Sequence, residues 1–201
     1  MKIVGLTGGS GTGKGTVAGI FAEYGIPSVD TDAVYHELLR TDPALTAELV
    51  SSFGSGILGE AGTVNRKALA AAVFGKENTP ALLHTLNQIT HKYIMSETKK
   101  RLTEYEKASA PAALIDAPLL FEAGLDAWCD EVIGVLADRE TRILRVTKRD
   151  GIDRAAAIRR IDAQPDDSFF RARCSIVLEN NGDLAELRKE VRKILAVWKM
   201  V

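Results

Sequence analysis

Cysteine is nearly missing: Cys129 and Cys174 are the only two in 201 residues, too few for a disulfide framework or a cysteine-rich zinc site. A reducing cytosol suits such a chain. Long apolar runs are missing too. None approaches the ~20 residues a bilayer requires. The run after Met1 dies at once in glycines and threonines, so neither a membrane span nor a signal peptide is expected. An excess of one charge is also lacking. The 26 basic and 27 acidic residues leave −1, which argues against a dedicated nucleic-acid or membrane-surface binder. With 6 prolines, no repeat and no low-complexity tract, disordered and collagen-like classes are excluded. What is there, 46% hydrophobic residues and 26% charged, is ordinary for a globular protein able to bury a core without staples.

Along the chain, short apolar strands alternate with amphipathic helices. Strands are predicted at 2–6, 26–29, 112–116, 132–136 and 176–178. Helices follow the first at Val17, Ile20, Phe21 and Tyr24, and close the chain at Leu184, Leu187, Val191, Ile194 and Trp198. Strands apolar throughout, each followed by helical sequence, predict an α/β fold: a parallel five-stranded sheet covered on both faces. Residues 33–108 read as helical with breaks near Asp42-Pro43, Gly54 to Gly62 and Thr79-Pro80. They are expected to form an insertion within a single domain over 1–201, with basic helices following within 139–170.

Gly8-Gly9-Ser10-Gly11-Thr12-Gly13-Lys14-Gly15-Thr16 lies between a strand and a helix, where a phosphate-binding loop belongs. Glycines let successive N–H groups turn inward, the helix start adds positive potential, and a lysine reaches the β/γ-phosphates. Gly11, Thr12, Gly13, Lys14, Gly15 and Thr16 are the expected phosphate contacts. Gly15 stands where such loops place a Mg²⁺-holding hydroxyl, so the candidate moves to Thr16, with Asp116 at the end of an apolar strand acting through water. Asp30 and Asp32 end the second strand, where open α/β sheets present ligands. Asp32 is preferred as the base for an acceptor hydroxyl, because alternate strand residues share a face and it is nearer the mouth. The alternative role for Asp32 is a helix cap.

Arg139, Arg142, Arg145, Lys148, Arg149, Arg154, Arg159 and Arg160 crowd one stretch of a chain that is otherwise balanced in charge. Guanidinium groups there can close over ATP phosphates. Arg142 is expected on the solvated outer face. Thr147-Lys148-Arg149-Asp150 matches a guanine-reading motif in letters only, since it ends a helix and no Asp-x-x-Gly accompanies it. A small-molecule kinase is therefore preferred to a GTPase switch.

Taken in order, these motifs resemble dephospho-CoA kinases nearly end to end. Leu6-Thr7-Gly8-Gly9 with the loop, Val29-Asp30-Thr31-Asp32, Asn65-Arg66 and Asp116-Ala117-Pro118-Leu119-Leu120-Phe121-Glu122 carry the likeness. Arg145, Arg149-Asp150-Gly151, Arg160, Gln164 and Asn180-Asn181-Gly182 complete it. The resemblance implies a three-layer P-loop kinase fold with a helical acceptor-binding region and a small helical lid. It implies transfer of phosphate from ATP, with Mg²⁺, to the ribose 3′-hydroxyl of dephospho-CoA in the cytosol, by a monomer or weak homo-oligomer. It further implies catalytic roles for Lys14, Asp32 and Arg145, ATP contact by Arg149, and acceptor contacts from Asp30, Asp32 and Pro118 to Glu122. Gly15, Lys92 and Met95 after His91, Phe170 and Cys174-Ser175 depart from the pattern. The Gly13-Lys14-Gly15-Thr16 run also resembles adenylate-type nucleoside monophosphate kinases, the competing enzyme reading. A nucleotide-binding regulatory module is the competing reading from another class.

Overall fold

In the computed structural model, residues 1–74 and 79–200 are described; residues 75–78, inside the stretch read as helical, lie outside the described part. Five strands, β1 (Lys2–Thr7), β2 (Ser28–Asp30), β3 (Ala112–Asp116), β4 (Glu131–Leu136) and β5 (Ile176–Glu179), form one parallel sheet in the order β2-β3-β1-β4-β5. Leu6 lies level with Asp116 on one side, and Thr7 with Gly134 on the other. All five residues of β3 are buried, which explains why its sequence shows no polar alternation.

The helices are α1 (Lys14–Glu23), α2 (Thr31–Thr41), α3 (Pro43–Phe53), α4 (Arg66–Phe74), α5 (Thr79–Lys107), α6 (Arg139–Asp150), α7 (Arg154–Asp162), α8 (Asp167–Arg173) and α9 (Leu184–Val197). Val4, Leu6, Ala112, Leu114, Ile133 and Val135 on one sheet face pack against Phe21 of α1 and Leu187, Val191 and Leu195 of α9. Trp198 stacks on Phe21 with ring centroids 5.7 Å apart, so it is a packing residue as its helical spacing suggests. On the opposite face a side chain at Gly5 would meet Leu120 at 2.7 Å, and one at Gly134 would meet Cys174.

Two compact units make up the chain: Met1–Val29 with Leu102–Val201, and Asp30–Arg101. The first holds the sheet core. The second is helical, with Leu45, Leu49, Ile57, Leu69 and Val73 buried among α3, α4 and the 3-10 turn at Ser55–Ile57. Its helices start where the chemistry allows. Asp42 accepts from Leu45 N and Pro43 opens α3, so the Asp-Pro pair that ends one helix starts the next.

Aspartates cap four further helix starts. Asp30, Asp153, Asp166 and Asp183 accept a backbone N–H at the starts of α2, α7, α8 and α9. At α1 the capping position is Gly13, with no side-chain cap.

Candidate active site

The loop between β1 and α1 is shaped by glycines that its neighbours leave little room to replace. Gly8, Gly11 and Gly13 have φ of 144°, 81° and 95°, which L side chains rarely adopt. A Cβ on Gly8 would run into the Val135 carbonyl, and one on Gly13 into Asn180 Nδ2. One on Gly11 would lie 2.6 Å from the Arg142 carbonyl oxygen. Thr12 is buried and its Oγ1 donates to Gly9 O at 2.9 Å, closing the loop on itself. From outside, Asn180 Nδ2 donates to Thr12 O at 2.7 Å, and Arg145 Nη1 reaches Gly11 O and Thr12 O at 3.3 and 3.4 Å. With these carbonyls held outward, the uncapped N–H groups at the start of α1 are left for an anion.

Lys14 opens α1, and its Nζ lies 3.8 Å from Asp116 Oδ1 at the end of β3; both side chains are mostly buried, 17% and 12% exposed. The neighbouring strands β1 and β3 thus bring the predicted lysine and acid together. A side chain at Gly15 would touch nothing within 4 Å, and Thr16 is exposed beside it.

Among the described residues no three His, Cys, Asp or Glu side chains gather as a metal-holding group. Mg²⁺ needs less than that: it keeps several waters and rests on one or two carboxylates plus substrate phosphates. Asp116 beside Lys14 supplies one such carboxylate.

Several expectations change. Arg142 is not on a solvated face; it is 6% exposed, and burial pulls its guanidinium below the usual arginine range. It shares the inward face of α6 with Val146 four residues on, and this spacing was the signal available in the sequence. Asp32 is not a strand-end residue. β2 stops at Asp30, whose Oδ1 accepts from Ala33 N at 2.9 Å, so Asp30 is the cap and Asp32 stands exposed on the first turn of α2. The strand-alternation reason for preferring Asp32 therefore fails. Leu120 is fully buried against the sheet and packs the core instead of lining a site. Of its neighbours, Leu119 is exposed, Glu122 is exposed, Pro118 is half-buried with its carbonyl 3.4 Å from Thr7 Oγ1, and Phe121 meets Phe169 edge-on at 5.6 Å.

Arg149 is exposed, and its Nε and Nη2 donate to both oxygens of Asp150 at 2.7 and 2.9 Å. That carboxylate also accepts from Arg160. The bonds from Arg149 hold the Asp150 carboxyl below its ordinary pKa range and raise that of Arg149. Burial raises the Cys129 thiol to about 12, so it is a packing residue with no reactive thiolate.

Comparison with known proteins agrees with the resemblance read from the motifs. The family model described as dephospho-CoA kinase matches residues 2–186. A dephospho-CoA kinase of Corynebacterium glutamicum is 41% identical over 197 residues, spanning 98% of this chain and 96% of that protein. One from Arabidopsis thaliana is 34% identical over 97% of this chain and 83% of its own. Among solved structures, a Thermus thermophilus protein superposes with a TM-score of 0.81 at 33% identity, covering 97% of this chain and 96% of its own. A shikimate kinase from Acinetobacter baumannii, at a TM-score of 0.52 and 17% identity over 98% of this chain and 92% of its own, shares the fold.

Proposed function

The chain belongs to the dephospho-CoA kinase family, and from that premise we propose that it moves the γ-phosphate of ATP onto the ribose 3′-hydroxyl of dephospho-CoA, giving coenzyme A and ADP. The observation that carries this reading is Lys14 held at 3.8 Å from Asp116 beside a glycine loop whose carbonyls are bonded outward. Phosphoryl transfer asks for positioned charge more than covalent chemistry, and this corner of the sheet supplies it.

Gly11 to Thr16 form the phosphate cradle. The N–H groups of Gly11, Gly13, Lys14 and Gly15 are offered to the phosphates, while those of Thr12 and Thr16 bond to Gly9 O and Gly13 O. The Lys14 ammonium stabilises charge growing on the β/γ-bridging oxygen. Arg145, already fastened to the loop carbonyls, adds positive potential beside the transferring group. Arg149 is supplied by the segment over 139–170, exchanging its Asp150 partner for phosphate. Asp32 accepts the proton as the acceptor oxygen bonds to the γ-phosphorus and the bond to the bridging oxygen breaks; Asp30 fixes the helix turn that carries it. Pro118, Leu119, Phe121 and Glu122 offer the acceptor a mixed apolar and acidic surface. Asp116 and Thr16 are the residues that would hold Mg²⁺, through water, and the ion would supply charge that neutralises the ATP phosphates. The described residues include no helix long and apolar enough to cross a membrane, and the two unpaired cysteines suit a reducing cytosol.

The test is ADP release from Mg-ATP with dephospho-CoA, AMP, other nucleoside monophosphates or no acceptor. Turnover with dephospho-CoA alone, the product bearing a new 3′-phosphate, is the expected result. Turnover with a monophosphate would replace this reading by an adenylate-type kinase. Tight ATP binding with no acceptor-dependent release would replace it by a regulatory module.

A further inference from the structure

Ser10, in the middle of the glycine loop, is gripped on both sides by side chains from far along the chain. Its N–H donates to Gln164 Oε1 at 2.8 Å, and its carbonyl accepts from Arg142 Nε at 3.0 Å. Arg142 Nη2 donates to the same Gln164 Oε1 at 3.0 Å, and Gln164 Nε2 lies 3.2 Å from Ser10 Oγ. These bonds form a closed ring through two side chains and one peptide residue. The amide oxygen of Gln164 spends both acceptor positions in it. Arg142 also walls the loop. A Cβ at Gly9 would overlap its guanidinium, and one at Gly11 would lie 2.9 Å from its Cα. Its charge is buried with Asp167 Oδ1 at 4.0 Å, so neutral oxygens do most of the work of satisfying its donors.

We propose that Arg142 and Gln164 are positioning residues for ATP, latching the peptide groups of Ser10 so that the loop holds its phosphate-receiving shape before the nucleotide arrives. Neither side chain touches phosphate in this role. With Ser10 N–H committed to Gln164 and Thr12 N–H to Gly9 O, the N–H groups of Gly11, Gly13 and the opening of α1 are the ones that receive the anion. Gln164 lies between α7 and α8 and Arg142 lies on α6, so the same ring ties the 139–170 segment to the loop. A displaced segment would release the loop, and a bound phosphate would favour the latched state. The inference rests on reading this loop as the ATP site.

A loop that has lost its latch samples other shapes, and apparent affinity falls by the fraction still competent. Arg142→Ala and Gln164→Ala are each expected to raise the Kd and KM for ATP about tenfold, the competent fraction dropping to about one tenth. The kcat should stay within about threefold and the KM for dephospho-CoA should not move, since chemistry on bound ATP is untouched. The double variant should be little worse than either single one, because one ring is broken only once. Arg142→Lys should fail to restore affinity, as an ammonium cannot present Nε and Nη2 to two oxygens in a fixed plane. Gln164 is half-buried, so Gln164→Ala reports even where Arg142→Ala folds poorly. Wild-type Kd for Mg-ATP in folded Gln164→Ala, a parallel rise in both KM values, or full additivity in the double variant would each overturn the latch. Absence of Mg-ATP binding in the wild-type chain would overturn the ATP reading itself, and the latch with it.

Discussion

The loop ahead of Lys14 and the helical turn that follows it are both rich in glycine, for opposite reasons. Gly8, Gly9, Gly11 and Gly13 are hemmed in by Val135, Arg142 and Asn180, and three of them also hold a positive φ. Gly15, one residue beyond the lysine, has open space where its side chain would be and no positive φ. The first set is dictated by packing: α6 and the end of β5 press on the loop from outside, and only a missing Cβ lets them reach its carbonyls. The last is dictated by nothing steric. The same residue type thus marks a mechanical necessity on one side of Lys14 and a free chemical choice on the other.

Gly11→Ala should break the crowded side most. A methyl meeting the Arg142 backbone at φ 81° combines overpacking with backbone strain, together about 3 kcal/mol. For a chain of this length, thermal unfolding should come roughly 6–12 °C earlier, and an unchanged melting temperature would show the crowding to be irrelevant. Lys14→Ala stands between the regions and should leave melting almost alone while lowering kcat by at least ~100-fold, because it removes a preorganised charge from the transition state. Steady-state rates on folded protein check this, and near-normal turnover would remove Lys14 from the chemistry. Gly13→Ala should cost about 2 kcal/mol, and part of that should return when Asn180→Ala clears the space; denaturant titration of the single and double variants reads it. Smallest, and opposite in sign, Gly15→Ala should stabilise by about 0.5–1 kcal/mol through helix propensity. A loss there would mean that the first turn of α1 is as constrained as the loop before it.

Much of this was legible because it depends on local rules. The loop's spacing, its place between β1 and α1, and the acid at the end of β3 are all visible in a line of letters, since β3 is apolar up to Asp116. What was not legible depends on contacts made across the fold. Gln164 and Asn180 were visible as members of a family pattern, yet nothing local says that their amides face Ser10 and Thr12, 154 and 168 residues earlier. Arg142 was misplaced because charge outweighed pattern: its i+4 partner Val146 marks the inward face, but a cation there reads as solvent-facing until its hydrogen-bond acceptors are seen. The geometric reason for preferring Asp32 fails because the strand ends at Asp30. A turn of helix beginning at Thr31 cannot be told from a strand continuing to Asp32 when the strand has only three residues.

The aspartate caps have a consequence for traffic in solution. At α2, α3, α7, α8 and α9 the positive end of the helix is met by a carboxylate belonging to the chain itself. An inorganic or organic anion drifting past finds those five ends already neutralised. At α1 it finds an end backed only by glycine and a lysine. The molecule thereby lowers its own decoy count, so that a polyanionic nucleotide at low concentration is not held up at those five ends.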